Sequence, residues 1–359
     1  MRQLKDEQGL IEELSRAYDV PLLDIQLMAL NLYGIASNIG DNRARMKVYL
    51  DADPTTEWHL IVPTSQPMSP YELIDNILFC FGKRIAFVRL VEHDDARLGY
   101  ARVGEQVLTL NTNKRSTCTG CVFCPNTLAD SNDPRLSQSE DEIRQWLSAF
   151  LLEHGWSNLS SIREINLSTG CFGEESKAIS HLTELRVLLN EFSFRGRLGI
   201  LSSVIQTDEG MKALAELSPF ALFITLECVT RRDLLLKESK ASLQPAEAVR
   251  VLMRAREADV DTGVMLVVGL DPLSEATNWL SEAVPYLTDF PNLQIFQSHS
   301  PYMNLFRTKG AEALEFFLTA RHNFESILLP TSLRPQRWQN YRPLWYYKFG
   351  SEELLPCPY

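Results

Sequence analysis

Nothing in the sequence reads as a membrane span or an export signal. No stretch of membrane-spanning length is free of charge, and Met1-Arg2-Gln3-Leu4-Lys5-Asp6-Glu7 leads into an amphipathic helix rather than an apolar core. The expected location is the cytoplasm, with no membrane partner. Basic residues are outnumbered: 35 Lys and Arg face 46 Asp and Glu, a net charge of −11. A nucleic-acid partner, which needs clustered cations, is therefore not expected. Internal repeats and low-complexity linkers are missing as well. Cysteine is scarce, seven in 359 residues, yet three of the seven are bunched. Clustered thiols in a reducing compartment fit metal binding better than disulfides. The remainder is an ordinary globular composition, 45% hydrophobic and 23% charged, long enough for one large domain and an accessory region.

The bunched cysteines lie in Ser116-Thr117-Cys118-Thr119-Gly120-Cys121-Val122-Phe123-Cys124-Pro125. Thiolates at such spacing converge on one metal centre. A ferredoxin-type C-x₂-C-x₂-C run needs a fourth cysteine shortly after, and here Leu128 stands four residues past Cys124. A four-iron cluster on Cys118, Cys121 and Cys124 would keep one iron open to a small molecule. The same spacing also suits a structural zinc knuckle, and three buried core cysteines are a further alternative to the cluster.

Around this loop the chain changes character twice. Residues 1–37 read as two helices split at Tyr18-Asp19-Val20-Pro21, with Asp19 as the cap. Strands are predicted at 46–50, 59–62 and 85–91, with a helix over 71–79. From about residue 107 strands and amphipathic helices alternate, with strands predicted at 107–112, 162–168, 198–204, 221–226, 263–268 and 293–296. Ser139 and Glu142 form a capping box for a helix whose Ile143, Trp146, Leu147, Phe150 and Leu151 share one face. Six such units are too few to close an eight-stranded barrel. The expected fold is α/β: a partial (β/α)₆ TIM-type barrel over 105–300, an N-terminal α+β accessory region over 1–104, and a C-terminal extension over 301–359 closing the barrel. The extension carries a helix near 312–324 and an arginine-aromatic run of Arg334, Arg337, Trp338, Tyr341, Arg342 and Trp345. That run suits either carboxylate and phosphate binding or cation–π packing of the C-terminus.

A triple-cysteine loop just after the first strand of a six-unit parallel array resembles the radical S-adenosylmethionine (SAM) superfamily, over about residues 107–300. The spacing departs from the family's usual C-x₃-C-x₂-C by one residue, and Gly120 offers the backbone freedom for the tighter turn. The resemblance implies a [4Fe–4S] cluster on Cys118, Cys121 and Cys124, with S-adenosyl-L-methionine on the open iron. One-electron cleavage of SAM would yield a 5′-deoxyadenosyl radical that removes hydrogen from a substrate. It also implies a reducing partner such as flavodoxin or ferredoxin. Phe123 matches the aromatic beside adenine. Gly170, Gly173 and Glu174, in Ser168-Thr169-Gly170-Cys171-Phe172-Gly173-Glu174-Glu175, resemble the family's Gly-Gly-Glu motif. Ser202 with Ser203 at the third strand's end, Glu227 on the fourth and Gly269 after the fifth complete the expected SAM contacts, Glu227 pointing inward with Thr225. His299 and Tyr302, after the sixth strand, are the candidate catalytic residues at the substrate.

Other roles stay open for several of these residues: a plain βα turn for the glycine run, a solvent-facing acid at Glu227, a capping histidine at His299. Cys80, Cys171, Cys228 and Cys357 read as small buried hydrophobes or as ligands of a second cluster. The leading function is a radical SAM enzyme acting on a small polar or amino-acid-like metabolite. The alternatives are radical SAM modification of a peptide recognised by residues 1–100, and a non-enzymatic iron-sulfur or zinc-binding interaction protein.

Overall fold

The computed structural model describes residues 3–39, 42–93, 99–102, 106–113, 120–124, 139–336 and 342–354. Cys118, Cys357, Arg337, Trp338 and Tyr341 lie outside the described residues. In chain order the elements begin with α1 (Gln3–Tyr18), α2 (Leu22–Tyr33), β1 (Arg43–Leu50), β2 (Asp53–Pro63), β3 (Tyr71–Ile74), β4 (Ile77–Cys80), β5 (Lys83–His93) and β6 (Gly99–Arg102). The α/β alternation runs through β7 (Val107–Leu110), α3 (Glu140–Glu153), β8 (Glu164–Leu167), α4 (Glu175–Glu191), β9 (Arg197–Ser202), α5 (Asp208–Glu216) and β10 (Phe220–Glu227). It continues with α6 (Arg232–Leu235), α7 (Glu238–Ala241), α8 (Pro245–Glu257), β11 (Asp261–Val268), α9 (Leu273–Ala283) and β12 (Asn292–Ile295). Last come α10 (Leu314–Leu328), β13 (Lys348–Phe349) and β14 (Glu352–Glu353). Among the described residues no helix is long and apolar enough to cross a membrane.

The fold is mixed α/β, and β7 to β12 form a parallel, curled half-barrel sheet of the partial TIM type. Strand order in that sheet is β12-β11-β10-β9-β8-β7-β6, with β6 added antiparallel to β7. By packing, the described residues within 3–93, 267–280 and 292–354 make one compact unit and those within 99–266 and 281–291 the other. The described N-terminal and C-terminal stretches both belong to the first of these units.

In that first unit a five-stranded antiparallel sheet has the order β2-β1-β5-β4-β3. Ala44, Met46, Val48 and Leu50 on β1 and Trp58, Leu60 and Val62 on β2 are buried, the alternation of a sheet with one covered face. The helix predicted over 71–79 is instead the hairpin β3–β4. Its turn residues Asp75 and Asn76 have φ of +47° and +64°, the left-handed pair that a two-residue hairpin requires. Asp and Asn tolerate that conformation, and the tight turn overrode the helical spacing of the flanking apolar residues. The split between α1 and α2 falls where expected, but the cap does not. Pro21 is the N-cap of α2, and Asp19 sits at φ +53° in the turn.

A buried ion pair ties this unit together. Arg321 on α10 donates to Asp24 on α2 at 2.6 Å, to Glu325 at 3.0 Å and to the carbonyls of Leu344 and Lys348. Asp24 also accepts the Tyr346 and Tyr347 backbone N–H groups at 2.9 and 3.0 Å. The C-terminal strands are therefore anchored to both helices through two side chains that are 0% and 2% exposed. In the arginine-rich run, Arg334 lies over the Phe349 ring at 5.5 Å and pairs with Glu352, which is a packing role.

In the second unit, α3 has the expected capping box, with Ser139 and Glu142 each accepting the other's backbone N–H. Parallel register sets Thr109 beside Asn166, Asn166 beside Gly199, Leu201 beside Phe223 and Phe223 beside Gly263. These residues share one face. A Cβ at Gly199 would stand 2.4 Å from the Asn166 Oδ1, and one at Gly263 would stand 2.3 Å from the Phe223 ring. The alternate positions Leu110, Leu167, Ile200, Leu222, Ile224 and Val264 are buried and apolar, and form the helix-covered side. At the N-terminal end of the polar-bearing face, Arg197 ties β9 to β8 and β11. Its guanidinium donates to Glu164 at 2.6 and 3.1 Å, to Asp261 at 3.0 Å and to Asp289 at 2.7 and 2.9 Å. Burial pulls the Arg197 pKa down, but Asp289 and Glu164 outweigh it and hold the group above its ordinary value.

Breaking a buried pair costs more than never having made it, because the survivor keeps an uncompensated charge. Arg321→Met is expected to destabilise the chain by about 3–5 kcal/mol in urea unfolding. Adding Asp24→Leu should recover part of that loss; a double variant no more stable than the single one would refute the pairing as the cause.

Candidate functional site

The second and third cysteines of the loop follow β7, the first strand of the half-barrel. The Cys124 N–H donates to the Cys121 carbonyl at 3.0 Å, so the two thiols flank one tight turn. The Val122 N–H donates to the Leu235 carbonyl at 3.1 Å, fixing the turn against the end of α6. Gly120 enters it at φ +104°, and a Cβ there would press on the Lys237 side chain at 3.0 Å. Only glycine meets both conditions. Cys121 and Phe123 are buried and Cys124 is half-buried.

Charge gathers around this turn. Burial pushes the Cys121 thiol up to about 11, the Lys240 ammonium and a Lys237 backbone hydrogen bond pull it down, and Glu227 and Cys124 add to the rise. Glu227 ends β10 at a register slip: Thr225 pairs with Met265, but Glu227 pairs with Leu266. The strict alternation expected to point Glu227 the same way as Thr225 stops at this bulge. Glu227 sits at φ +69°, a left-handed conformation costly for a side chain of this size. It is 7% exposed, and its Oε1 accepts from the Lys240 Nζ at 2.5 Å. A buried carboxylate needs such a partner.

The run from Ser168 to Glu175 divides its duties. The Gly170 carbonyl accepts from the Asn113 amide at 3.0 Å, and Gly173 has φ +77°. Glu174 is the N-cap of α4, is exposed, and pairs with Lys177 at 3.0 Å. Its neighbour Glu175 takes the Thr207 N–H at 3.0 Å and the Gln206 N–H at 2.5 Å, buttressing the start of α5. Cys171 lies against the same basic segment as Cys121. Burial would raise its pKa, but the Gly173 N–H, the Lys237 charge, the Ser239 hydroxyl at 3.7 Å and Lys240 together lower it.

The structure thus brings Cys121, Cys124 and Glu227 to one place with Lys237, Lys240 and Cys171. Ser202 accepts the Val204 N–H and lies in register with Ile224, on the apolar side of the sheet. The adjacent Ser203 continues the face that carries Thr225. Of the two serines at this strand end, the two-residue period puts Ser203 and not Ser202 on that face. Gly269, His299 and Tyr302 belong to the other compact unit. Gly269 has φ +110° and packs within 3.3 Å of the Phe317 ring once a Cβ is placed on it. His299 is buried, with Nδ1 3.4 Å from the Asn42 carbonyl. Tyr302 is 60% exposed and meets the Phe306 ring edge-on at 5.0 Å.

Two thiols at the ends of one turn suit two sulfur ligands on a single metal centre. Cys118, the third expected ligand, lies outside the described residues. Among the described residues no three His, Cys, Asp or Glu side chains form a metal-binding group. No protein-family model matches the sequence, and no curated protein does. Among solved structures, the chain is similar to HydG, a maturase of the [FeFe]-hydrogenase, with 12% sequence identity and a TM-score of 0.44 over 63% of this chain. The match takes in 50% of the HydG chain, so this chain spans about half the length of that neighbour.

Thiolate is the reacting form of cysteine, and a thiol with a pKa near 11 is roughly one part in a thousand ionised at about pH 8. In metal-free protein, iodoacetamide at about pH 8 should alkylate Cys171 well before Cys121. The Cys121 rate should keep climbing toward about pH 11, read by peptide mass spectrometry. A Cys121 rate that levels off by about pH 9 would contradict the buried thiol described above.

Proposed function

We propose that this chain is a radical SAM enzyme, with a [4Fe–4S] cluster on Cys118, Cys121 and Cys124 and a small polar or amino-acid-like metabolite as substrate. The observation that carries the reading is the site of the cysteine turn. It follows the first parallel strand of a six-stranded half-barrel, and it docks on the short helical segment whose Lys240 holds Glu227. Bound there, the cluster and SAM would supply one-electron cleavage of a sulfonium and a carbon radical for hydrogen abstraction.

The chain's own part is binding and charge placement. Cys121 and Cys124 are held by backbone hydrogen bonds, so their spacing is set before any ligand arrives. The Glu227 carboxylate stands beside them with one strong donor, Lys240, on one oxygen. A carboxylate accepts several hydrogen bonds, which leaves Glu227 capacity for an ammonium or hydroxyl of SAM. The left-handed backbone at Glu227 is consistent with strain kept at a functional position.

Cys118→Ala, Cys121→Ala and Cys124→Ala should each abolish the reconstituted cluster, read as iron and sulfide content, together with 5′-deoxyadenosine formation under anaerobic reduction with SAM. Cys80→Ala should leave both intact. A single colourless zinc per chain would overturn the enzyme reading.

Glu227→Gln keeps shape and removes charge, weakening a charge-assisted hydrogen bond by about 1–3 kcal/mol. SAM affinity is expected to fall roughly tenfold to a hundredfold with cluster loading unchanged. Unaltered SAM titration and turnover would make Glu227 a structural partner of Lys240 alone.

A further inference from the structure

A buried polar atom without a hydrogen bond is costly, so several of them on one surface call for an explanation. Thr109 Oγ1, both polar atoms of the Asn111 amide, Asn166 Oδ1, Ser203 Oγ and Thr225 Oγ1 have no partner among the described residues. All five side chains belong to residues no more than 8% exposed. Their positions are not scattered. Thr109 is in register with Asn166 on β8, and Asn111 follows Thr109 by the two-residue period of one face. The ladder holds that far, since the Ser168 N–H still donates to the Leu110 carbonyl at 2.9 Å. Asn166 lies against Gly199 on the same face, which runs across β9 and β10 through Leu201 and Phe223. Ser203 and Thr225 are the next positions on that face, two residues beyond Leu201 and Phe223.

We propose that this face is the substrate surface, and that the substrate is a neutral, polyhydroxylated molecule such as a sugar, polyol or nucleoside. The inference rests on the radical SAM reading and narrows it, replacing an amino-acid-like ligand with an uncharged one. Three observations set the class. Hydroxyls and a carboxamide both donate and accept, which complements a ligand whose groups do the same. Within the strands of this face Arg197 spends all five N–H donors on Glu164, Asp261 and Asp289, and beyond the strand ends Lys240 is paired with Glu227. Three carboxylates against one guanidinium disfavour an anion further. Finally, the Phe223 ring lies across Gly263 among the polar groups, offering an apolar surface to ligand C–H groups.

The test uses the full metal-free chain and saturation-transfer NMR. Probes are D-ribose, D-glucose, myo-inositol and uridine, with L-alanine, L-glutamate and ribose 5-phosphate as charged comparators and 5′-deoxyadenosine as the cofactor fragment. Binding by one or more of the four neutral probes is expected, weakened about tenfold in Thr225→Val and in Asn111→Leu, one hydrogen bond's worth each. Because these atoms are unpartnered, both variants should melt at or above the wild-type temperature. Variants that melt several degrees lower would mean the groups serve the fold, and the proposal fails. It fails equally if charged comparators bind more tightly, if no neutral probe binds, or if only 5′-deoxyadenosine responds, which would assign the face to the cofactor. Binding is read without cluster or SAM. A chain that binds the neutral probes but never forms 5′-deoxyadenosine therefore loses the functional proposal and not the ligand class.

Discussion

A parallel sheet with helices on one face and a polar-bearing surface on the other must send alternate side chains into two different environments, and the half-barrel of this protein depends on that constraint. One set, including Leu110, Leu167, Ile200 and Ile224, is apolar and faces the helices. The other set begins at Glu164, Arg197 and Asp261 and continues through Asn166 and Thr225, which is charge at the start of the strands and neutral polar groups toward their ends. Because the period is two, a slip of one residue in any strand would put leucines where amides stand and amides against helices. Arg197 guards against such a slip by bonding Glu164 on β8, Asp261 on β11 and Asp289 just before β12 at a fixed level.

Where the alternation stops, chemistry is concentrated. The bulge at the end of β10 turns Glu227 out of register, into a left-handed conformation and onto Lys240. The same short segment receives the cysteine turn through Leu235 and Lys237 and lies against Cys171. A regular strand would have no way to present a carboxylate there. The bulge is what allows one buried acid, two lysines and three thiols to occupy a single neighbourhood.

The other compact unit solves a different problem. Its helices α2 and α10 and its C-terminal strands are far apart in sequence, and the Asp24–Arg321 pair joins them, each side chain also bonding backbone groups between residues 344 and 348. Such a pair adds little net stability over an apolar equivalent, but it tolerates only one arrangement of its partners. That is consistent with a role in setting position as well as in holding the unit together.

Local pattern was enough to read most elements from the sequence. The capping box at Ser139, the six parallel strands and the helix-helix split at Pro21 follow from periodicity and from residues that act within one turn. The cysteine loop was equally legible, since its spacing is a local property and its place after a strand follows from the alternation. Where two local signals competed, the reading failed: residues 71–79 have helical spacing, yet the Asp75-Asn76 turn makes them a hairpin. The partner of Glu227, the choice of Ser203 over Ser202 as the residue on the polar face, and the closing of Arg197 onto three carboxylates were decided by tertiary structure. Each depends on register between strands, and register is a relation between distant segments that no single stretch of sequence contains.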